Sequence, residues 1–119
     1  MTESKPDSLY NLRKLIDYIG DNEETIKEMV GIFLKSAHDL SGQMMEACIA
    51  NDLENVSKAA HKLKPSLDIF GIDDLALPIK QIEQSYKNNE SCDSVFVIVR
   101  NLNKRLIEVM DQMRKDYQL

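Results

Sequence analysis

The sequence predicts an all-α domain, an up-and-down four-helix bundle with a short N-terminal helix capping one end. Three observations carry that expectation. Only four glycines and three prolines punctuate 119 residues, β-branched runs are short, and apolar residues recur at helical spacing over segments long enough to be helices. The length fits one domain spanning 1–119. A chain of this size buries roughly 65% of its unfolded surface, enough for a real core. Residues 1–7 lack an apolar core and are expected to form a flexible N-terminal segment.

Each element has its own sequence warrant. Leu9, Leu12, Ile16 and Ile19 recur at helical spacing and stop at Gly20-Asp21, which predicts the short capping helix. The second helix begins after Asp21 or Asn22, with Glu23 and Glu24 in its first turn, where carboxylates complement the helix dipole. Its stripe is Ile26, Val30, Phe33, Ala37, Leu40, Met44 and Cys48, ending near Asn51. That is about seven turns. A third helix follows Asn51-Asp52, carries Leu53, Val56, Ala60, Leu63, Leu67 and Phe70 on one face, and stops at Gly71, a residue suited to left-handed termination. The fourth runs from Asp73 to Tyr86 with Leu75, Ile79, Ile82 and Tyr86 on its stripe, and Pro78 must fall in its first turn or kink it. After a polar turn at 87–91, the last helix runs from about Cys92 to Tyr117, with Val95, Ile98 or Val99, Leu102, Leu106, Val109, Met113 and Tyr117 on one face. Short loops between long helices imply up-and-down connectivity.

Composition narrows the function classes. Fifteen Lys+Arg against 20 Asp+Glu give a net charge of -5, which argues against a nucleic-acid reader held by phosphate contacts. Cys48 and Cys92 stand far apart with no C-x-x-C spacing, so neither a disulfide framework nor a thiolate zinc site is expected. No signal peptide or membrane span is legible, and the longest unbroken apolar run is Val95 to Val99; a cytoplasmic, soluble monomer is expected.

In a bundle the informative residues are those that break the inside-outside rule or cluster without a packing reason, and His61 is the candidate. At about 100° per residue it points roughly 130° away from the centre of the third helix's apolar stripe, so its imidazole should face solvent. From Asn55 to Leu67 there is no Asp or Glu, although the chain is acidic, and Lys58, Lys62 and Lys64 all fall in that window. Lys58 and Lys64 lie one turn before and after His61 on the same face. A lysine cluster alone reads as a solvated helix face; around an exposed imidazole it reads as an anion-handling site.

Phosphoryl transfer through histidine wants this arrangement. Neutral imidazole, with an unperturbed pKa of about 6.5, is a good nucleophile near neutral pH, and its phosphoramidate still transfers readily. In-line transfer also needs the nitrogen on a convex surface, open to a partner's acceptor. No G-x-x-x-x-G-K-[ST] loop is present to cradle a nucleotide's phosphates. His38 has no acid or cysteine partner at ligand spacing and reads as an ordinary surface or boundary histidine. The methionines fall mainly at core spacing and read as gap-fillers. Gly31 and Gly42 share a face, where they would permit a close approach by a partner or the first helix.

The window Ala60-His61-Lys62-Leu63-Lys64-Pro65-Ser66, with Gly71 five residues on, resembles the signature of the histidine-containing phosphotransfer (HPt) domains. That pattern is a histidine, a lysine three residues later, a small residue, a serine, and a glycine closing the helix; His61, Lys64, Ser66 and Gly71 match it. The five-helix layout is similar over the whole chain. The resemblance implies a phosphorelay intermediate of two-component signal transduction: His61 accepts a phosphoryl group from a receiver-domain aspartyl phosphate and passes it to another receiver aspartate. Lys64 would balance phosphoryl charge, and Lys58 and Lys62 would steer an acidic receiver pocket. It further implies response-regulator receivers or a hybrid sensor histidine kinase as partners, no intrinsic kinase activity, and no cofactor of its own, with Mg²⁺ supplied by the receiver.

One position departs from the pattern. Where the family usually has glycine, Pro65 stands one turn after His61; proline removes the amide that would bond the His61 carbonyl, so a local bend is expected while the imidazole stays accessible. Ser66 turns to the flank of the helix, suited to packing or hydrogen bonding. The alternative from another class is a helical adaptor that binds a receiver or kinase without carrying phosphate. An enzyme acting alone ranks behind both, because no convergent triad or ligand set is legible.

Overall fold

The computed structural model describes residues 9–119, so the segment 1–7 lies outside the described residues. Five α-helices follow in order: α1 (Arg13–Ile19), α2 (Glu23–Ile49), α3 (Leu53–Ile69), α4 (Ala76–Lys87) and α5 (Phe96–Tyr117). Short 3-10 turns at Asp73–Leu75 and Cys92–Ser94 lead into α4 and α5. Helix α3 packs against α2 and α4, and α5 closes the ring by packing against both α2 and α4, while α1 lies on α2. The result is the expected four-helix bundle with a capping helix, measuring 46 × 23 × 21 Å.

Local chemistry sets the helix starts. The Asn22 side chain accepts a hydrogen bond from the Thr25 amide at 3.0 Å, and Asp52 does the same for Asn55 at 3.2 Å. Each such cap stabilises its helix by about 1 kcal/mol. Pro78 falls in the first turn of α4, where its missing amide has no helical partner to lose. At the other end of α3, Gly71 has φ +67, and a Cβ there would sit 2.6 Å from Asn11. Glycine therefore both ends the helix and admits the N-terminal strand of chain, whose Asn11 amide bonds the Phe70 carbonyl at 2.9 Å.

The core follows the predicted stripes with a few shifts. All six predicted α3 positions are buried, and Ala59 and Ser57 join them. On α2, Leu40 is only half-buried, while Leu34 and Ser41 go inside. Tyr86 does not belong to the core: it is exposed, because it lies in the last turn of α4 beside the solvent-covered segment 87–91. The first helix is shorter than its stripe suggests, and its core anchors are Tyr10, Leu12 and Leu15. A Cβ built on Gly31 or Gly42 meets nothing, so neither glycine serves a close approach within the fold.

Candidate functional site

Helix α3 fixes the direction of the candidate residues. Val56, Ala60, Leu63 and Leu67 are buried against the neighbouring helices, so the helical period turns His61 outward, and its side chain is 71% exposed. Removing a large buried side chain such as Leu63 costs about 2–5 kcal/mol, which is the scale of the force holding that orientation. Pro65 is exposed and lies inside one unbroken α3. The expected bend therefore does not break the helix. The lost amide leaves the His61 carbonyl without its usual helical donor, at a point where water can replace it.

The window free of acids along the chain is not free of them in space. Glu83 enters from α4, beside the buried Ile79 and Ile82, and meets the imidazole with Oε2 at 3.0 Å from His61 Nδ1. Its other oxygen, Oε1, accepts from Lys64 Nζ at 3.4 Å. Burial pushes the Glu83 carboxyl up, but the hydrogen bond from His61 and the Lys64 ammonium outweigh it and hold the group below its ordinary value. An ionised carboxylate can only accept, so this contact places the imidazole proton on Nδ1 and leaves the lone pair on Nε2. The available nitrogen is thus the one facing away from α4.

The lysines divide. Lys58 turns back to Glu54 one helical turn earlier, at 3.4 Å, and Lys64 is held by Glu83. Lys62 is exposed and has no carboxylate within ion-pair distance among the described residues. It stands on a groove of about 500 Å³ between α2 and α3, with Lys35, Asp39, Ile32 and Leu40 on the opposite wall. Ile32 is 57% exposed there. Ser66 is half-buried on the flank of α3, and its carbonyl accepts from Phe70 at 3.0 Å. His38 is exposed on α2.

The sequence singles out His61, Lys64 and the surrounding lysines and leaves a docking surface on the second and third helices unassigned, but it does not point to Glu83. The available signal was weak: Glu83 borders the Ile79 and Ile82 stripe of α4, a flank position able to reach a neighbouring helix. Among the described residues, no group of three or more His, Cys, Asp or Glu side chains is placed to hold a metal ion. No described helix is long and apolar enough to cross a membrane. A family model described as the Hpt domain matches residues 28–116, which takes in most of α2, the whole of α3 and α4, and nearly all of α5. No match was found among curated proteins or solved structures.

Proposed function

The chain belongs to the Hpt domain family, and from that membership together with the α3–α4 geometry we propose that His61 is its phosphoryl carrier. Members of this family are phosphotransfer modules of two-component signalling and not kinases. The finer reading is a relay in which His61 takes the phosphoryl group from an aspartyl phosphate on one receiver domain and gives it to an aspartate on another. The observation that carries it is the Glu83 contact at Nδ1, which leaves Nε2 as an exposed nucleophile.

The step follows from that geometry. The Nε2 lone pair attacks phosphorus in line with the departing aspartyl oxygen, the P–O bond breaks, and the receiver carboxylate leaves with its electron pair. Positive charge grows on the imidazole as the N–P bond forms. The Glu83 carboxylate, already accepting from Nδ1–H, stabilises that charge without reorganising. Lys64 lies on the same face and is free to exchange Glu83 for a phosphoryl oxygen, because an ion pair at 3.4 Å between partly exposed groups is weak. Passing the group onward is the same step reversed, with a second receiver aspartate as the nucleophile. Mg²⁺ belongs to the receiver's acidic pocket in this scheme.

The partner must approach the exposed face of α3. Lys62 and Lys35, neither of them in an ion pair among the described residues though Asp39 lines the same groove, complement an acidic receiver pocket, and field complementarity of this kind raises association rates. The test is transfer of labelled phosphoryl from a phosphorylated receiver to this chain. Label that is stable in base, lost in acid and absent from His61→Gln supports the reading. Binding of the receiver without any transferable phosphoryl supports the adaptor reading instead.

A further inference from the structure

The fold brings together two thiols that the sequence holds far apart. Cys48 lies in the last turn of α2 and Cys92 opens the 3-10 turn before α5; both are buried, and they are near enough that each thiol shifts the proton affinity of the other. Asn51 links their backbones from both sides. Its amide donates to the Cys48 carbonyl at 3.1 Å, and its side-chain oxygen accepts from the Cys92 amide at 3.2 Å. The two cysteines are thus held in register by one residue of the α2–α3 turn, itself in the left-handed conformation at φ 57.

From this juxtaposition we infer that Cys48 and Cys92 form a redox-responsive staple, which a peroxide closes into one intramolecular disulfide. The Cys48 thiolate attacks a peroxide oxygen, the O–O bond breaks, and hydroxide leaves to take up the thiol proton, giving a sulfenic acid. The Cys92 sulfur then attacks the Cys48 sulfur, the S–O bond breaks and water departs. In sum, two thiols and one peroxide give one disulfide and two waters, with two electrons passing from the sulfurs to the peroxide. Burial pushes the Cys48 thiol up, but the Cys92 thiol beside it offsets part of that rise, so Cys48 is the sulfur more readily ionised and attacks first. Burial, the neighbouring Cys48 and the carboxylates of Asp52 and Asp93 push the Cys92 thiol up to about 11. Closure is therefore slow, and only a small oxidant reaches the pair.

The staple would enclose α3 and α4, and with them His61, Lys64 and Glu83, in a covalent loop of about 45 residues, long enough to constrain the unfolded chain strongly. Asn51 already holds the two backbones together, so the closure is local, and His61 on the exposed face of α3 is left as it is. The experiment treats the whole chain with dilute hydrogen peroxide, denatures it in excess N-ethylmaleimide, and records intact mass and Tm. The expected product is about 2 Da lighter, takes up no maleimide, yields a cross-linked Cys48–Cys92 peptide, and melts roughly 10 °C higher until dithiothreitol reverses it. Cys92→Ala loses that shift. Two maleimide additions after oxidation, sulfinic or sulfonic masses, disulfide-linked dimers, or a closed disulfide with no rise in Tm would each overturn the inference. All of these are read on the unmutated chain, so a poorly folding variant does not blunt the test.

Discussion

On the α4 side of α3, the cation nearest His61 already has a counter-ion: Lys64 shares Glu83 with the imidazole, and Asp68 and Asp73 lie further along the same side, around a cleft they share with Lys64 and Pro65. On the α2 side, Lys62 and Lys35 face a groove that also holds exposed Ile32 and Asp39, and neither lysine has an ion pair among the described residues. One flank is wired and the other is open. A cation held at short range by a carboxylate contributes little field at a distance, but its pairing fixes where the reacting nitrogen points. Unpaired lysines do the reverse: they position nothing inside the domain and attract an acidic surface from outside.

Substitutions that break one flank should therefore leave the other's function intact. The largest effect is expected from Glu83→Ala, which removes a charge-assisted hydrogen bond of about 1.5–3 kcal/mol and so slows phosphoryl transfer roughly tenfold to a hundredfold, measured as single-turnover transfer at saturating receiver. Receiver affinity should barely change. The double substitution Lys35→Gln with Lys62→Gln should act oppositely, lowering the association rate several-fold at low ionic strength, an effect that fades above about 0.5 M salt while the saturated transfer rate stays put. Lys58→Gln should change association less than twofold, because Glu54 already neutralises that side chain.

Smaller effects sharpen the same contrast. The Glu83 carboxyl is held below its ordinary value in the folded chain, so the native state gives up that proton more readily than the unfolded state, whose Glu titrates near about 4.3. Its contribution to stability is complete above that pH and is lost as pH falls through the lower native value. Acid-unfolding curves of the wild type and Glu83→Gln should differ above about pH 4.3 and converge below it. Pro65→Gly restores an amide for the His61 carbonyl, yet the transfer rate should stay within about twofold, since Glu83 rather than the backbone at Pro65 sets the ring's tautomer.

What could be read in advance divides along a physical line. Buried stripes such as Val56, Ala60, Leu63 and Leu67 were legible because periodicity within one helix is a property of the local sequence. So was the outward direction of His61, which is the complement of that stripe. Glu83 was not legible, because its distance from His61 depends on the register between α3 and α4, and that register is set by how Ile79 and Ile82 pack. The same holds for the approach of Cys92 to Cys48, which Asn51 of the α2–α3 turn bridges. Tyr86 failed for a related reason: its spacing is right for a core position, but the core ends before the last turn of α4 does. A window free of acids along the chain is likewise no statement about acids arriving from another helix.

The most direct measurement is nitrogen and phosphorus NMR on the ¹⁵N-labelled chain before and after phosphorylation by a receiver. The expected result is an unphosphorylated His61 protonated at Nδ1, and a phosphorylated form with phosphorus bonded to Nε2 of His61 while Nδ1 keeps its proton against Glu83. Phosphorus on Nδ1, or on any residue other than His61, would contradict it.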